Sequence, residues 1–242
     1  MPAKRIRVFA GPNGSGKTTI VNDLRLKYSY GVYVNADDIE AELKSKGNFF
    51  FDKYKLNVEE KNLQDFFRLS SFSPIKRNES DLWKKLSVQN NSLIVSTLID
   101  SYLAADIAEF IRLELLENNF SFTYETVMSH KGKIDFLQKA IDKHYKVYLY
   151  FIATEDPEIN INRVNVRVAQ SGHAVPPDVI RSRYYRSLEN LKNAVMKTNR
   201  AFIFDNSGSA AVLIAEITDG LDVNIIETSR VPNWLVKYLI NP

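Results

Sequence analysis

The 242-residue chain contains no cysteine. That excludes a disulfide framework, a thiolate nucleophile and a cysteine-ligated zinc site, and it fits a reducing cytoplasm. Long hydrophobic runs are missing too: no apolar stretch reaches the roughly 20 residues that a membrane helix needs. Only three histidines occur, His130, His144 and His173. They are dispersed without metal-ligand spacing, so each reads as a surface residue. Charge of one sign is also scarce. The 32 basic and 29 acidic residues leave a formal net charge of +3, too weak a bias to argue for a nucleic-acid or membrane partner. The N-terminus, "MPAKRIRVFAG", is basic but runs straight into a glycine turn, so it does not read as a secretory signal.

What is present is ordinary for a globular chain with a real core: 45% hydrophobic and 25% charged residues. Apolar runs alternate with helical stretches, which predicts an α/β fold with a doubly wound, mostly parallel sheet flanked by helices. "RIRVFAG" (5–11) reads as a buried first strand and "GVYVNAD" (31–37) as a short second one. Between them Ile20, Leu24 and Tyr28 fall on one helical face. Ala104, Ile107, Ala108, Ile111 and Leu115 make an apolar stripe of helical period in 101–119. Strands are expected at 120–127, 146–153 and 200–208, and helices at 133–145 and through 157–199, the latter broken by "SGHAVPPD" (171–178). Two strand-like runs around Asp219-Gly220 form a hairpin signal. The whole, 1–242, reads as a single domain. One stretch does not fit the alternation. Residues 48–96, aromatic-rich, with no glycine and one proline, read as a helical insertion.

The strongest motif is Gly11-Pro12-Asn13-Gly14-Ser15-Gly16-Lys17-Thr18, which matches G-x-x-x-x-G-K-[ST] between a strand and a helix, the context of a P-loop. Successive backbone N–H groups must point at anionic oxygens, and glycines supply the conformations that this requires. The following helix adds its N-terminal partial charge. Lys17 is placed to reach the β and γ phosphates, and the Thr18 hydroxyl to ligate Mg²⁺. The chain is therefore expected to bind a nucleoside triphosphate.

A P-loop does not name the reaction. There is no N-K-x-D motif as in GTPases, and no apolar strand ending "DE" as in motor ATPases. Small-molecule kinases instead place an acid opposite the γ-phosphate and close a lid of arginines over the transferring group. Asp37 and Asp38 follow the second strand, whose carboxyl end faces the ligand crevice in such a sheet. Asp37 is assigned to the catalytic acid position and Asp38 to the N-cap of the next helix. The segment 157–188 carries Arg163, Arg167, Arg181, Arg183 and Arg186, with glycine and proline hinges between the two groups, and reads as a lid rather than a merely solvated face.

Read in order, "AGPNGSGKTT", "VNADDIE", "SYLAAD", "FTYETVMS", "RVNVRVAQSGHAVPPDVIRSRYYRSLENL" and "FDNS" resemble the zeta-toxin family of P-loop kinases, over roughly residues 3–47 and 97–208. Ser171 stands where a glycine is common. Zeta toxins phosphorylate the 3′-hydroxyl of UDP-N-acetylglucosamine with ATP. The resemblance implies Asp37 as general base, Lys17 on the donor phosphates and Arg167 and Arg183 on the transferred phosphoryl group. It sets Thr19, Arg163 and Asn206 with Gly11–Thr18 on the ATP side, Asn206 near the adenine, and Glu125 and Thr126 on the acceptor side. It also implies an antitoxin partner. Val127, where short relatives often carry a second threonine, and the 48–96 insertion both depart on the acceptor side.

The leading expectation is an ATP- and Mg²⁺-dependent kinase in the cytoplasm, acting on a hydroxyl of a small molecule. A nucleic-acid-end or nucleoside kinase is the second reading. An ATP-gated binding protein without phosphoryl transfer is the third, and it would have no need of an acid at Asp37.

Overall fold

The computed structural model describes residues 3–26, 28, 30–69, 72–169 and 175–241. In chain order the first half forms β1 (Arg5–Ala10), α1 (Lys17–Arg25), β2 (Val32–Val34), α2 (Ala36–Lys46), β3 (Asn48–Phe50), α3 (Glu60–Leu69), α4 (Ser73–Arg77), β4 (Leu86–Gln89), β5 (Ser92–Val95) and α5 (Ser101–Glu117). The second half forms β6 (Phe122–Thr126), α6 (Lys131–Asp142), β7 (Lys146–Ala153), α7 (Pro157–Ala169), α8 (Pro177–Glu189), α9 (Leu191–Val195), β8 (Arg200–Asp205), β9 (Val212–Thr218), β10 (Asp222–Ile225) and α10 (Asn233–Leu235). The chain divides into two compact units: Met1–Tyr30 with Thr123–Pro242, and Gly31–Phe122. Among the described residues no helix is long and apolar enough to cross a membrane.

The first unit is built on a mostly parallel sheet in the order β10-β9-β8-β7-β1-β6. β1 pairs parallel with β7, and β7 with β8. Strand alternation explains the packing. Ile6, Val8 and Ala10 stand opposite Val147, Leu149 and Phe151, and all six are fully buried. The alternate positions stack rings across the strands, Phe9 on Tyr150 at 4.6 Å and Tyr150 on Phe202 at 4.9 Å. β1 lies between two strands from later in the chain, β6 and β7. Its carboxyl end is therefore a switch point of the sheet, where such folds bind ligands. The C-terminal hairpin forms as the sequence predicts. Asp219 (φ 48°) and Gly220 (φ 72°) take the left-handed conformation in the three-residue connection 219–221, where the Leu221 N–H bonds to the Thr218 carbonyl at 3.1 Å.

The second unit packs α2 against α5. The apolar stripe of α5 is buried as its period predicts, from Ala104 to Leu115. Asp100 caps the helix, accepting from the Tyr102 and Leu103 N–H groups at 3.1 and 2.9 Å. The expectation of a helical 48–96 segment needs correction. α3 and α4 share it with a three-stranded antiparallel sheet, β3-β5-β4. Its hairpin turns at Asn90 (φ 50°) and Asn91 (φ 56°), because asparagine tolerates the left-handed region without a glycine. The Asn91 side chain then ties the turn inward, through the Val58 N–H at 3.0 Å and the Leu56 carbonyl at 2.8 Å. Phe49, Phe51 and Phe67 are core residues, while Phe50 is 46% exposed.

Candidate active site

The site begins where β1 ends. Residues 11–16 turn into α1, and the conformation of this turn is dictated by close approaches. Gly14 lies at φ 74°, and a Cβ there would meet the Asn160 carbonyl oxygen at 2.5 Å. Gly16 caps α1 at φ 93°, and a Cβ there would collide with Asn206 Nδ2. Both positions need glycine for conformation and for space. Lys17 opens the helix and donates from Nζ to the carbonyls of Gly11 at 2.9 Å and Pro12 at 2.8 Å. Its ammonium is thereby held over the turn.

Two asparagines brace the turn from outside. Asn160, fully buried on α7, donates to the Asn13 carbonyl at 2.6 Å and accepts from the Thr154 hydroxyl. Thr154 in turn receives the Tyr184 hydroxyl on its carbonyl at 2.6 Å, which links α8 to the same cluster. Burial raises the Tyr184 pKa, with the Glu155 charge adding to the effect, so this phenol stays a donor. Asn206, in the loop after β8, donates to the Ser15 carbonyl at 2.8 Å. Arg163 fixes that loop from α7, donating to the carbonyls of Asn206 at 2.8 Å and Gly208 at 3.1 Å. The end of β8 beside that loop is pinned as well: the buried Trp234 of α10 donates from Nε1 to Asp205 at 3.1 Å. Beside the turn opens a hollow of about 440 Å³, lined by Thr19, Asp23, Arg163, Asn206 and Ser209–Ala211 among others. Its volume lies within the range of small-molecule pockets.

The first unit thus gathers Gly11–Thr19, Arg163 and Asn206 around one turn, and adds Glu125. That carboxylate accepts from the Thr18 hydroxyl, at 3.2 Å to Oε1 and 3.1 Å to Oε2. Thr126, next in β6, accepts the Met128 N–H at 3.1 Å and shapes the strand end. Of the lid arginines, Arg181 pairs with Glu158 across α8 and α7, and Arg186 bonds back to the Ser182 carbonyl of its own helix. Arg167 lies in the exposed last turn of α7, and Arg183 is half-buried on α8. The expected hinge falls partly outside the described residues, Ser171 and His173 included. His130 caps α6 through the Gly132 N–H at 3.3 Å.

Asp37 belongs to the other unit, exposed in the first turn of α2. The capping assignment of Asp38 is corrected. Asn35 is the N-cap: its backbone is extended (φ −133°, ψ 126°), and its side chain accepts the Asp37 N–H at 2.8 Å. An N-cap must stand outside the helix to reach those first N–H groups, whereas Asp38 is already within it. Asn160, Thr154 and Tyr184 were missed from sequence. Asn160 carried one signal, a polar residue between two isoleucines at the start of a helix.

A glycine turn with these constraints, at the switch point of a mostly parallel sheet and followed by a helix carrying Lys17 and Thr18, defines a P-loop protein of the kinase-like α/β class. Residues 100–217 match the family model described as Zeta toxin, a stretch that holds Glu125 and the lid but not the P-loop or Asp37. Solved structures share the fold. The AvrRxo1-ORF1:-ORF2 complex aligns with a TM-score of 0.59 at 14% identity over 94% of this chain, and the same pair with ATP with a TM-score of 0.55. The chain spans 62% of the length of that neighbour. The PezAT toxin–antitoxin system of Streptococcus pneumoniae aligns with a TM-score of 0.54 at 14% identity, over 100% of this chain and 80% of the other. No curated protein sequence matches the chain. Over residues 100–217 the chain is thus similar to the zeta-toxin family, in agreement with the sequence blocks found there.

Proposed function

We propose that the chain is an ATP-dependent kinase that transfers the γ-phosphate to a hydroxyl of a small molecule. The observation that carries this reading is the braced P-loop with Lys17 held over it, opening beside a hollow of small-molecule size. In the proposed cycle the backbone N–H groups of 13–18 cradle the phosphates. Lys17 exchanges its two carbonyl partners for β- and γ-phosphate oxygens as charge develops there. Arg163 and Asn206 border the base. Arg167 and Arg183 engage the transferred group, and Asp37 takes the acceptor's proton. Transfer is balanced: the acceptor oxygen bonds to the γ-phosphorus, the bond to the β,γ-bridging oxygen breaks, and ADP leaves with those electrons.

The residues present fit Mg²⁺, since Thr18 and Glu125 offer oxygen donors side by side and this ion needs few protein ligands beyond the nucleotide's own phosphates. When bound, it neutralises phosphate charge. A nucleotide sugar of the UDP-N-acetyl type is the acceptor that the resemblance supports, with Thr126 at its side. A protein antitoxin and a cytoplasmic setting belong to the same reading, the first in line with the toxin–antitoxin system of the fold neighbour PezAT. Lys17→Ala tests it: calorimetry should show ATP affinity reduced at least tenfold and turnover lost, because the charge that meets the phosphates is gone. Unchanged turnover would refute the P-loop role.

A further inference from the structure

The phosphate turn receives two side-chain amides from outside, and each takes a different carbonyl. Asn160 donates to Asn13 at 2.6 Å, and Asn206 donates to Ser15 at 2.8 Å. A carbonyl only accepts, so in both cases the amide nitrogen faces the turn. Both amides are themselves fixed. The Thr154 hydroxyl holds the oxygen of the buried Asn160 amide. Asn206 is fixed by its backbone, its N–H on the Ala153 carbonyl at 2.8 Å and its carbonyl accepting from Arg163 at 2.8 Å.

Peptide geometry carries these contacts to the far face of the turn. The C=O and N–H of one trans peptide point in opposite directions, and no cis bond occurs among the described residues. Pinning the Asn13 carbonyl toward Asn160 therefore aims the Gly14 N–H away from α7. Pinning the Ser15 carbonyl toward Asn206 aims the Gly16 N–H away from the loop after β8. Gly14 (φ 74°) and Gly16 (φ 93°) have no side chain to oppose a turnover of these peptides. A peptide turned over would present its carbonyl oxygen to an anion.

We propose that Asn160 and Asn206 are positioning residues that hold the Gly14 and Gly16 N–H groups toward the triphosphate. Asn206 thereby acts on the phosphates, not on the base whose hollow it borders. Each asparagine governs one peptide, so the two make separate contributions to one cradle. A backbone N–H bonded to a charged oxygen is worth about 10- to 100-fold in affinity, and that is the share each asparagine secures. The proposal rests on the kinase reading above, since it presupposes that the turn binds a nucleoside triphosphate.

The test uses the full chain in chelator with two ligands, ATP and inorganic tripolyphosphate, which has the phosphates but no base. By calorimetry, Asn206→Ala should lose about 10- to 100-fold in affinity for both ligands alike, and Asn160→Ala likewise. Amide proton resonances separate peptide orientation from general damage to the turn. In the wild type, tripolyphosphate should move the Gly14 and Gly16 amide protons downfield. Asn206→Ala should cancel the shift at Gly16 and keep it at Gly14, and Asn160→Ala should do the reverse. Asn160 is fully buried, so if its variant does not fold, Asn206→Ala decides alone. A loss confined to ATP would make Asn206 a base contact and overturn the proposal. Unchanged affinity for both ligands, or both amide shifts lost together in one variant, overturns it too. If the wild type binds neither ligand, the kinase reading itself has failed and the proposal falls with it, a result distinct from the others.

Discussion

Lys17 shows how single atoms are prepared at the phosphate turn. Its ammonium already rests on two main-chain carbonyls, so the side chain is ordered before it meets an anion, and less rotamer freedom remains to be lost on binding. Asp37 and Asp38, adjacent in sequence, separate in role for a different reason. Both lie in the first turn of α2, where negative charge suits the helix dipole, but the hydrogen bond that fixes the turn comes from Asn35. Asn35→Ala should therefore cost about 1 kcal/mol in urea unfolding, while Asp38→Asn should stay within about 0.5 kcal/mol of wild type. A larger loss at Asp38 would restore it as the cap.

α7 and α8, the helices of the segment proposed as a lid, are packed on each other more closely than an arginine-rich sequence suggests. Ile161, Val164 and Ile180 form a buried cluster, joined by Val168 and Val175, and the Glu158–Arg181 pair crosses between the two helices. That pair is largely exposed and contributes little, so the apolar cluster holds the helices together. Arg163 is committed to the loop after β8, and the family resemblance gives transition-state contact to Arg167 and Arg183. Neutralising either should lower kcat at least tenfold while nucleotide affinity changes less than twofold, the pattern of groups engaged mainly in the transition state. Wild-type kinetics in both variants would make the segment a solvated face. Elements with a clear period were legible in the sequence. β1, β7 and β8 are short apolar runs, and α5 repeats its apolar residues at helical spacing. The β4–β5 hairpin was not legible, because its turn uses two asparagines where a search looks for glycine. Asn160 was hidden for another reason: its burial arises only when α7 packs against the P-loop, with the Asn160 carbonyl against Gly14.

For the molecule as a whole, the alternation of elements foretold the α/β class, and the P-loop motif foretold the turn that the fold builds. The division into two units was not foretold. Its boundaries, at Tyr30–Gly31 and Phe122–Thr123, fall beside a strand or inside one, with no proline- or glycine-rich linker to mark them. The proposed donor residues run from Gly11 to Asn206 and the proposed base is Asp37, so the kinase reading makes turnover depend on Asp37. A binding protein that only holds ATP would have no such dependence on Asp37. The most direct measurement incubates the full chain with ATP, Mg²⁺ and a metabolite extract, and follows products by mass spectrometry, wild type against Asp37→Asn. The account predicts a metabolite heavier by one phosphoryl group with the wild type, and formation slowed by about 10²- to 10⁴-fold in the variant, with ATP affinity near wild type. An extract left unchanged by the wild type, or phosphorylated equally by both proteins, would contradict it.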